Sequence, residues 1–517
     1  MCGIVGFVGK QGNKEQILDD MMKVIVHRGP DSAGKYVNDQ VALGFRRLSI
    51  IDLENGSQPM FNEDGEVGIV FNGEIYNSPE LRERFKTKGH VFQNSSDTET
   101  LVHGYEEYGE KLVHELRGMF GFAIWDNKKK RLFMARDFFG IKPVYYAMIR
   151  GNLVFGSEIK SILEFPGFKK EVNNEALEEY LSFQYSNLPE TFFKGVYRLL
   201  PGHYLTYQNG ELNVTQYFDP TLEPVSKDSQ EELVKKLTNV LEDSVDKHML
   251  ADVEVGAFLS SGVDSSYIAA KYSGKKTFTV GFFDKNNQYS ETQYAEECAK
   301  FLGLENYSHQ ITEEEYWGEM PKIMYHMDEP LADPAAIALY FVAREAAKQV
   351  KVVTSGEGAD EFFGGYTIYR EPLSLRWLSW LPKSWRKSMA NLAEKLPEGM
   401  KGRSYIIRAS KSVEERFIGN ANIFTEEERK KLLKIKTNAP SPEALLAAKY
   451  KKMSKYDDTT KMQYIDLTNW LPGDILLKAD KMSMAHSLEL RVPFLDKEVF
   501  QVARQIRTNM KLKDKTT

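Results

Sequence analysis

A cysteine one residue from the amino terminus can do chemistry that an internal cysteine cannot. The chain opens MCGIVGFVG, and Cys2 is one of only 2 cysteines among 517 residues. Once Met1 is removed, Cys2 carries a thiol and a free α-amine on the same carbon. An α-amine has a pKa of about 7.7–8.0, which suits it to take the proton of its own thiol and leave a nucleophile. The competing reading is a small residue buried in an apolar run, since cysteine packs well whether or not it reacts.

Two further stretches carry chemistry-bearing residues. LSSGVDSS, residues 259–266, follows a strand-like run and leads into a helical one. Small side chains let a backbone approach a phosphate closely, and a helix start offers unpaired N–H groups and the positive end of its dipole. The Gly-Lys-Ser/Thr ending of a Walker A loop is missing. SGEGADEFFGG, residues 355–365, repeats the arrangement after another strand-like run. Asp264 and Asp360 add the hard oxygen donors that Mg2+ prefers. In an open parallel sheet both loops leave the carboxyl ends of strands, where ligands bind.

The elements that must position these residues fall into two parts. Up to about residue 205 the chain is strand-rich: EVGIVFNGEIYN, FGFAIWD, RLFMARD, PVYYAMI and NLVFGSE are short β-branched or aromatic runs broken by DNKKK and RGN. That grammar predicts antiparallel hairpins. Helices intervene at EQILDDMMKVIV, at SPELRERFKTKG with Ser78 as cap and Pro79 in the first turn, and after Asp97, read as another cap. The expected fold is an α+β layered domain over 2–207. YQNGELNVTQYFDPTLEPVSKDSQ is polar and turn-rich, and the junction is placed there. From 228 to 517 strands alternate with helices (EVGAFLS, SYIAAKY, KTFTVGF, ETQYAEECAKFLG, KVVTSGEG), which predicts an α/β domain with a parallel sheet, mostly helical beyond residue 371.

Composition narrows the class. Lys plus Arg total 68 against 74 Asp plus Glu, a net charge of -6 that offers no footprint for nucleic acid. No apolar stretch approaches the ~18–20 residues of a membrane span, and the start lacks a signal peptide's basic region and apolar core. Two cysteines make no disulfide framework, so a reducing cytoplasm is expected. Cys298, His27 and the tryptophans of RWLSWLPKSW (Trp377, Trp380, Trp385) are assigned to packing, and His103 and His114 show no metal-ligand pattern with Cys or Asp partners.

The two loops resemble the pyrophosphate-loop ATP site of glutamine-dependent asparagine synthetases, and the first half resembles their class II glutamine amidotransferase domain, an N-terminal-nucleophile fold. The carrying segments occur in order: CGIVG at 2–6, HRGPD at 27–31, RLSI at 47–50, NGEIYN at 72–77, SDTE at 96–99 and LRVPFLD at 490–496. The resemblance implies that Cys2 attacks the side-chain amide of glutamine with its own α-amine as base, and that Asn72 and Gly73 form the oxyanion hole. It implies that Arg47 takes the glutamine α-carboxylate, Asp97 with Glu74 the α-ammonium, and the main chain of Leu48, Ser49, Ile50 and Ile51 lines the pocket. For ATP it implies Leu259, Ser260, Ser261, Gly262, Asp264, Ser265, Ser266, Val280, Ser355 and Gly356. Asp264 and Asp360 would hold Mg2+, and Glu357 would serve formation of a β-aspartyl-adenylate. Lys478, Lys481 and Arg491 are further candidates for phosphate or substrate charge.

The implied reaction makes asparagine from aspartate, ATP and glutamine, with ammonia passed internally from the first site to the second. No nucleic-acid or membrane partner is expected, and the family's habit is a homodimer. Two departures stand out. Ser261 occupies a position where the family usually has glycine; were its φ positive, the strain would be about 1–2 kcal/mol. The chain also stops at NMKLKDKTT, soon after LRVPFLD, where the family continues with more helices and a lysine-bearing segment. A shortened member or a truncated form is expected, in which glutaminase chemistry survives more readily than synthesis. Two other readings are an amidotransferase for another carboxylate and a glutamine- and ATP-binding regulator without turnover.

Overall fold

A computed structural model describes residues 2–283, 292–397, 399–435 and 437–513. Met1, whose removal the resemblance implies, lies outside the described residues.

The opening strand, Gly3–Val8, is buried along its whole length because it has apolar neighbours on both faces. Ile4 and Val8 point into the core between two sheets, and Val5 and Phe7 point the other way, onto the helix Lys14–Lys23. This is the period of two that a strand imposes. Its sheet runs, in spatial order, Val196–Arg198, Tyr145–Ile149, Asn152–Gly156, Gly3–Val8, Val41–Arg47 and Ser32–Val37. The facing sheet runs Glu211–Gln216, His203–Gln208, Arg131–Arg136, Gly118–Asp126, Val67–Ile75 and Met60–Phe61. Val70, Ala123, Trp125 and Met134 of the second sheet meet Ile4, Leu43 and Phe45 of the first. Leu81, Phe85, Leu101, Val102 and Tyr105, on two further helices, cover the outer side at Ile69, Phe71 and Phe122. The result is helix, sheet, sheet, helix, with Cys2 at the end of a central strand.

The first part does not stop at 207. Asn209 and Gly210 take φ of 53° and 86°, and Gln208 pairs directly with Glu211, so the stretch read as linker begins with a two-residue hairpin turn. Asn-Gly suits such a turn because both residues accept positive φ. The sheet therefore runs on to Gln216.

The second part is a five-stranded parallel sheet in the order Glu305–Ile311, Lys276–Phe282, Val255–Phe258, Val352–Thr354, Glu489–Arg491. The first and last were not expected as strands. The chain winds outward to one edge and then returns to the other side of Val255–Phe258. The point of reversal lies between that strand and Val352–Thr354, and the two Gly/Ser/Asp loops follow these two strands. Crevices at such reversals are where α/β sheets bind ligands.

The two parts pack as one body. Arg28 reaches Asp480 at 2.8 and 3.2 Å, Arg117 reaches Asp496 at 2.8 and 3.0 Å, and Phe139 stacks edge-on against Phe362 and Phe500. Trp377, Trp380 and Trp385 are 81%, 76% and 66% exposed, so they do not pack on the sheet as expected. They lie on and between helices attached outside it.

Candidate active site

Asn72 lies in the strand Val67–Ile75, fully buried beneath Cys2. Its Oδ1 accepts a hydrogen bond of 3.0 Å from the Cys2 backbone nitrogen. That bond fixes the amide's orientation and leaves Nδ2, a buried donor, with no partner. An orphaned donor costs stability unless something else uses it. Next in the strand is Gly73, where a Cβ would fall 2.1 Å from the Met119 carbonyl oxygen, so only glycine fits against the neighbouring strand. The Cys2 thiol sits 3.9 Å from the Leu48 carbonyl, and burial pushes its pKa up. At rest it is a neutral thiol that needs a base.

Cys2, Arg47, Leu48, Ile50, Ile51, Gly73, Glu74 and Asp97 line one small cavity. Ser49 does not; its N–H donates to Asp31 at 2.8 Å instead. Arg47 is steered by the turn after it, donating to the carbonyls of Ile51, Asp52 and Leu53 at 3.4, 2.5 and 3.1 Å. Asp97 was read as a helix cap, but Ser96 is the cap, its hydroxyl accepting from Thr98 N–H. Asp97 is thereby free to turn inward, where it accepts from Ile75 N–H at 2.9 Å. The other cap is likewise displaced by one residue, from Ser78 to Asn77.

Burial raises Asp97 to about 6 and, with the Asp97 charge beside it, drives Glu74 well above the ordinary carboxylate range. Glu74 Oε1 has no hydrogen-bond partner. Two buried carboxylates held above their usual pKa make a place for a cation such as an α-ammonium group.

The second cleft lies at the sheet reversal, lined by Leu259, Ser260, Gly262, Asp264, Ser265, Val280, Ser355, Gly356, Glu357, Asp360 and Lys478. The first loop is tied to its own helix. Gly262 N–H donates to Ser260 Oγ at 3.1 Å, and the Ser260 and Ser265 hydroxyls lie 2.9 Å apart. Ser266 donates to the Gly262 carbonyl at 2.8 Å and, like the exposed Ser261, does not line the cleft. Ser261 is absent from the residues with positive φ, so the strain considered for it does not arise. The second loop presses on the first at Gly356, where a Cβ would lie 3.0 Å from both Asp264 Cβ and Ser265 N.

Burial raises Asp264 to about 6, helped by the Asp360 charge, and burial also raises Asp360. Neither carboxylate takes part in a side-chain hydrogen bond among the described residues, so the donor set suits a divalent cation. Glu357 is raised by burial, against the pull of Lys478. Lys478 itself pairs with Asp474 at 3.0 Å and with Asp333. Lys481 is spent on Asp328 at 2.6 Å, away from the cleft.

Arg491 is not at the phosphate cleft either. It is fully buried between the two sites, donating to Glu74 at 3.1 Å, to Glu489 at 2.6 Å and to the carbonyls of His248 and Leu250 at 2.7 Å each. Its own carbonyl accepts from Ser355 N–H at 2.9 Å.

Residues 1–218 match the family model described as a glutamine amidotransferase domain, and residues 236–517 match asparagine synthase. The chain belongs to the glutamine-hydrolysing asparagine synthetases. It is 47% identical to asparagine synthetase (glutamine-hydrolyzing) 1 of Bacillus subtilis, spanning 100% of this chain and 83% of that protein. Asparagine synthetase 3 of the same organism is 31% identical over 99% of this chain and 82% of its own length. At the same 31%, a Penicillium rubens protein named amidase chyE is matched over 99% of this chain and 83% of that one.

Several cavity residues carry no local sequence signal. Gln58 and Thr98 line the glutamine-side cavity and join at 3.1 Å. Glu489 comes to the same cavity from the second part of the chain, one residue before the LRVPFLD signature. Ala335, Ala338, Leu339 and Val342 form an apolar wall of the ATP-side cleft, from a helix with no polar signal.

Proposed function

We propose that the chain makes asparagine from aspartate, using ATP to activate the acceptor and glutamine as the nitrogen source. One observation carries the reading: the short strand Glu489–Arg491 touches both sites, Glu489 lining the cavity of Cys2 while the Arg491 carbonyl holds Ser355 in the ATP loop. Two half-reactions that share a strand belong to one enzyme.

In the first half-reaction the Cys2 α-amine, exposed by loss of Met1, takes the thiol proton, and Sγ attacks the carboxamide carbon. The Asn72 orphan donor and Gly73 N–H receive the oxyanion, and donors fixed before reaction suit this task. Collapse expels ammonia, the nitrogen taking a proton from the Cys2 α-ammonium, and water, giving a proton to the same amine, then releases glutamate from the thioester. Arg47 holds the α-carboxylate of glutamine, and Asp97 with Glu74 the α-ammonium. In the second, the aspartate β-carboxylate attacks the α-phosphorus of ATP and pyrophosphate leaves. Ammonia, reaching this site through the interior, attacks the acyl-adenylate and AMP departs. Glu357, beside Lys478 in the cleft, serves formation of the β-aspartyl-adenylate. Asp264 and Asp360 would hold Mg2+, which neutralises charge on the phosphates and the pyrophosphate leaving group.

The site of action is proposed to be the cytoplasm, on free small molecules rather than at nucleic acid or membrane, with the chain pairing as a homodimer. A net charge of -6 offers no electrostatic footprint for nucleic acid, and no helix among the described residues is long and apolar enough to cross a membrane. The deciding assay supplies glutamine, Mg-ATP and aspartate and follows asparagine, AMP and glutamate. Equal amounts of asparagine and AMP are expected. AMP formed only when a different carboxylate replaces aspartate would overturn aspartate as acceptor; glutamate alone would overturn the synthetase reading.

A further inference from the structure

Glu63, His90, His103 and Glu106 lie outside both sites and converge on one point, each offering one ligand atom within 4.8 Å of all the others. They come from three segments: a turn after the strand Met60–Phe61, the loop after the helix Ser78–Thr87, and two positions three apart on the helix Asp97–Tyr108. His90 Nδ1 is 3.7 Å from both Glu63 Oε1 and Glu106 Oε2. His103 Nδ1 is 3.6 Å from Glu63 Oε2 and 3.2 Å from Glu106 Oε2. A tetrahedral ion with ligands at about 2.0–2.1 Å needs ligand atoms roughly 3.3–3.4 Å apart.

The surroundings match the ligand set. Each histidine points Nδ1 inward and Nε2 at a carboxylate: His90 at Glu107, 3.1 Å away, and His103 at Glu99, 3.9 Å away. For His90 that is the outer-shell hydrogen bond which fixes a ligating imidazole, whereas Glu99 faces His103 as a charge beyond hydrogen-bond reach. Each inner carboxylate is also held from outside, Glu106 by Asn62 Nδ2 at 2.6 Å and Glu63 by Val91 N–H at 3.0 Å. His103 is almost fully buried, and its Nε2 has no hydrogen-bond partner. Spacing along the chain hides the set, because its acids are glutamates from separate segments.

We propose that these four side chains form a Zn2+-type site of two imidazoles and two carboxylates, with a bracing role. The ion would clamp the segment 88–96 to the helix whose first residue is Asp97, and so hold the arm that presents Asp97 to the glutamine cavity. A closed four-ligand set with no open position suits a structural ion rather than a reacting one.

The test uses the full, untagged chain carrying Cys2→Ala, so that the nucleophile cannot bind metal, with excess Mg2+ to fill the cleft of Asp264 and Asp360. After chelator treatment, Zn2+ is titrated against a chromophoric competitor. One ion per chain is expected, with Co2+ in its place giving the strong visible bands of tetrahedral coordination. His90→Ala and Glu63→Gln, at positions that keep solvent contact, are expected to weaken binding by ~100-fold or more. Zn2+ is expected to slow amide exchange across 88–96. No tight stoichiometric binding, or equal affinity in both variants, would overturn the site; binding without slowed exchange would overturn the bracing role.

Discussion

Asn72 divides its amide between two tasks, and the division is visible in its bonding. Oδ1 fixes the backbone nitrogen of Cys2, and Nδ2 is left buried and unpartnered. Asn72→Ala is therefore expected to cut glutamine-dependent turnover by about 10²–10³-fold, the usual loss of one oxyanion donor, while synthesis from added ammonium continues. Steady-state assays with the two nitrogen sources measure the split. Asp97 carries a pH signature. Its folded-state pKa, about 6, stands above the ordinary 3.8 because of burial, so the folded protein bears a penalty at neutral pH that protonation removes on acidification. Asp97→Asn is expected to raise Tm at pH 7.5, by an amount that shrinks toward pH 5, and to raise the KM for glutamine most above pH 6, where Asp97 is ionised. In the unaltered chain the KM for glutamine is expected to climb as pH falls through 6, since a protonated carboxyl no longer pairs with an ammonium.

The two loops at the sheet reversal act as a pair because a glycine lets them touch. Gly356→Ala places a methyl 3.0 Å from Asp264 Cβ and Ser265 N, with backbone on one side that cannot yield cheaply. ATP–pyrophosphate exchange is expected to fall at least tenfold while hydrolysis of glutamine persists. Ser261→Gly, by contrast, is expected to leave the KM for ATP within about twofold, because Ser261 needs no left-handed backbone and stands clear of the cleft. These loops were legible in the sequence because their composition answers to a backbone requirement that few other arrangements share. The hairpin at Asn209-Gly210 was equally written there and was masked by the polar residues around it. The caps at Asn77 and Ser96 each lie one residue before the reading made from sequence. At Ser96 the hydroxyl caps Thr98 N–H, whereas Asn77 holds the cap position with its amide bonded to the Glu115 carbonyl and Arg117 N–H, a difference that adjacent polar residues in a sequence do not reveal. Glu489 and the apolar wall at Ala335–Val342 carried no local signal, since their importance comes from tertiary proximity alone.

At the scale of the whole molecule, the junction between the two parts is built from buried charge. Arg28 with Asp480, Arg117 with Asp496, and Arg491 with Glu74 and Glu489 all cross or adjoin it. Breaking such a pair typically costs about 3–5 kcal/mol, because the abandoned charge stays buried. Arg491→Lys keeps one positive charge but cannot make the four bonds that the guanidinium fork makes. It is expected to lower Tm and to push the ratio of glutamate formed to asparagine formed above one. Both are read from a single preparation by calorimetry and amino-acid analysis.

Arg491 holds Glu74 of one site with its side chain and Ser355 of the other with its main chain, within a single residue. A compound that fills either chamber without reacting is thus expected to alter how faithfully the other runs. Leakage of nitrogen into solution, rather than slower catalysis, would be the first sign that this hinge of charge has slipped.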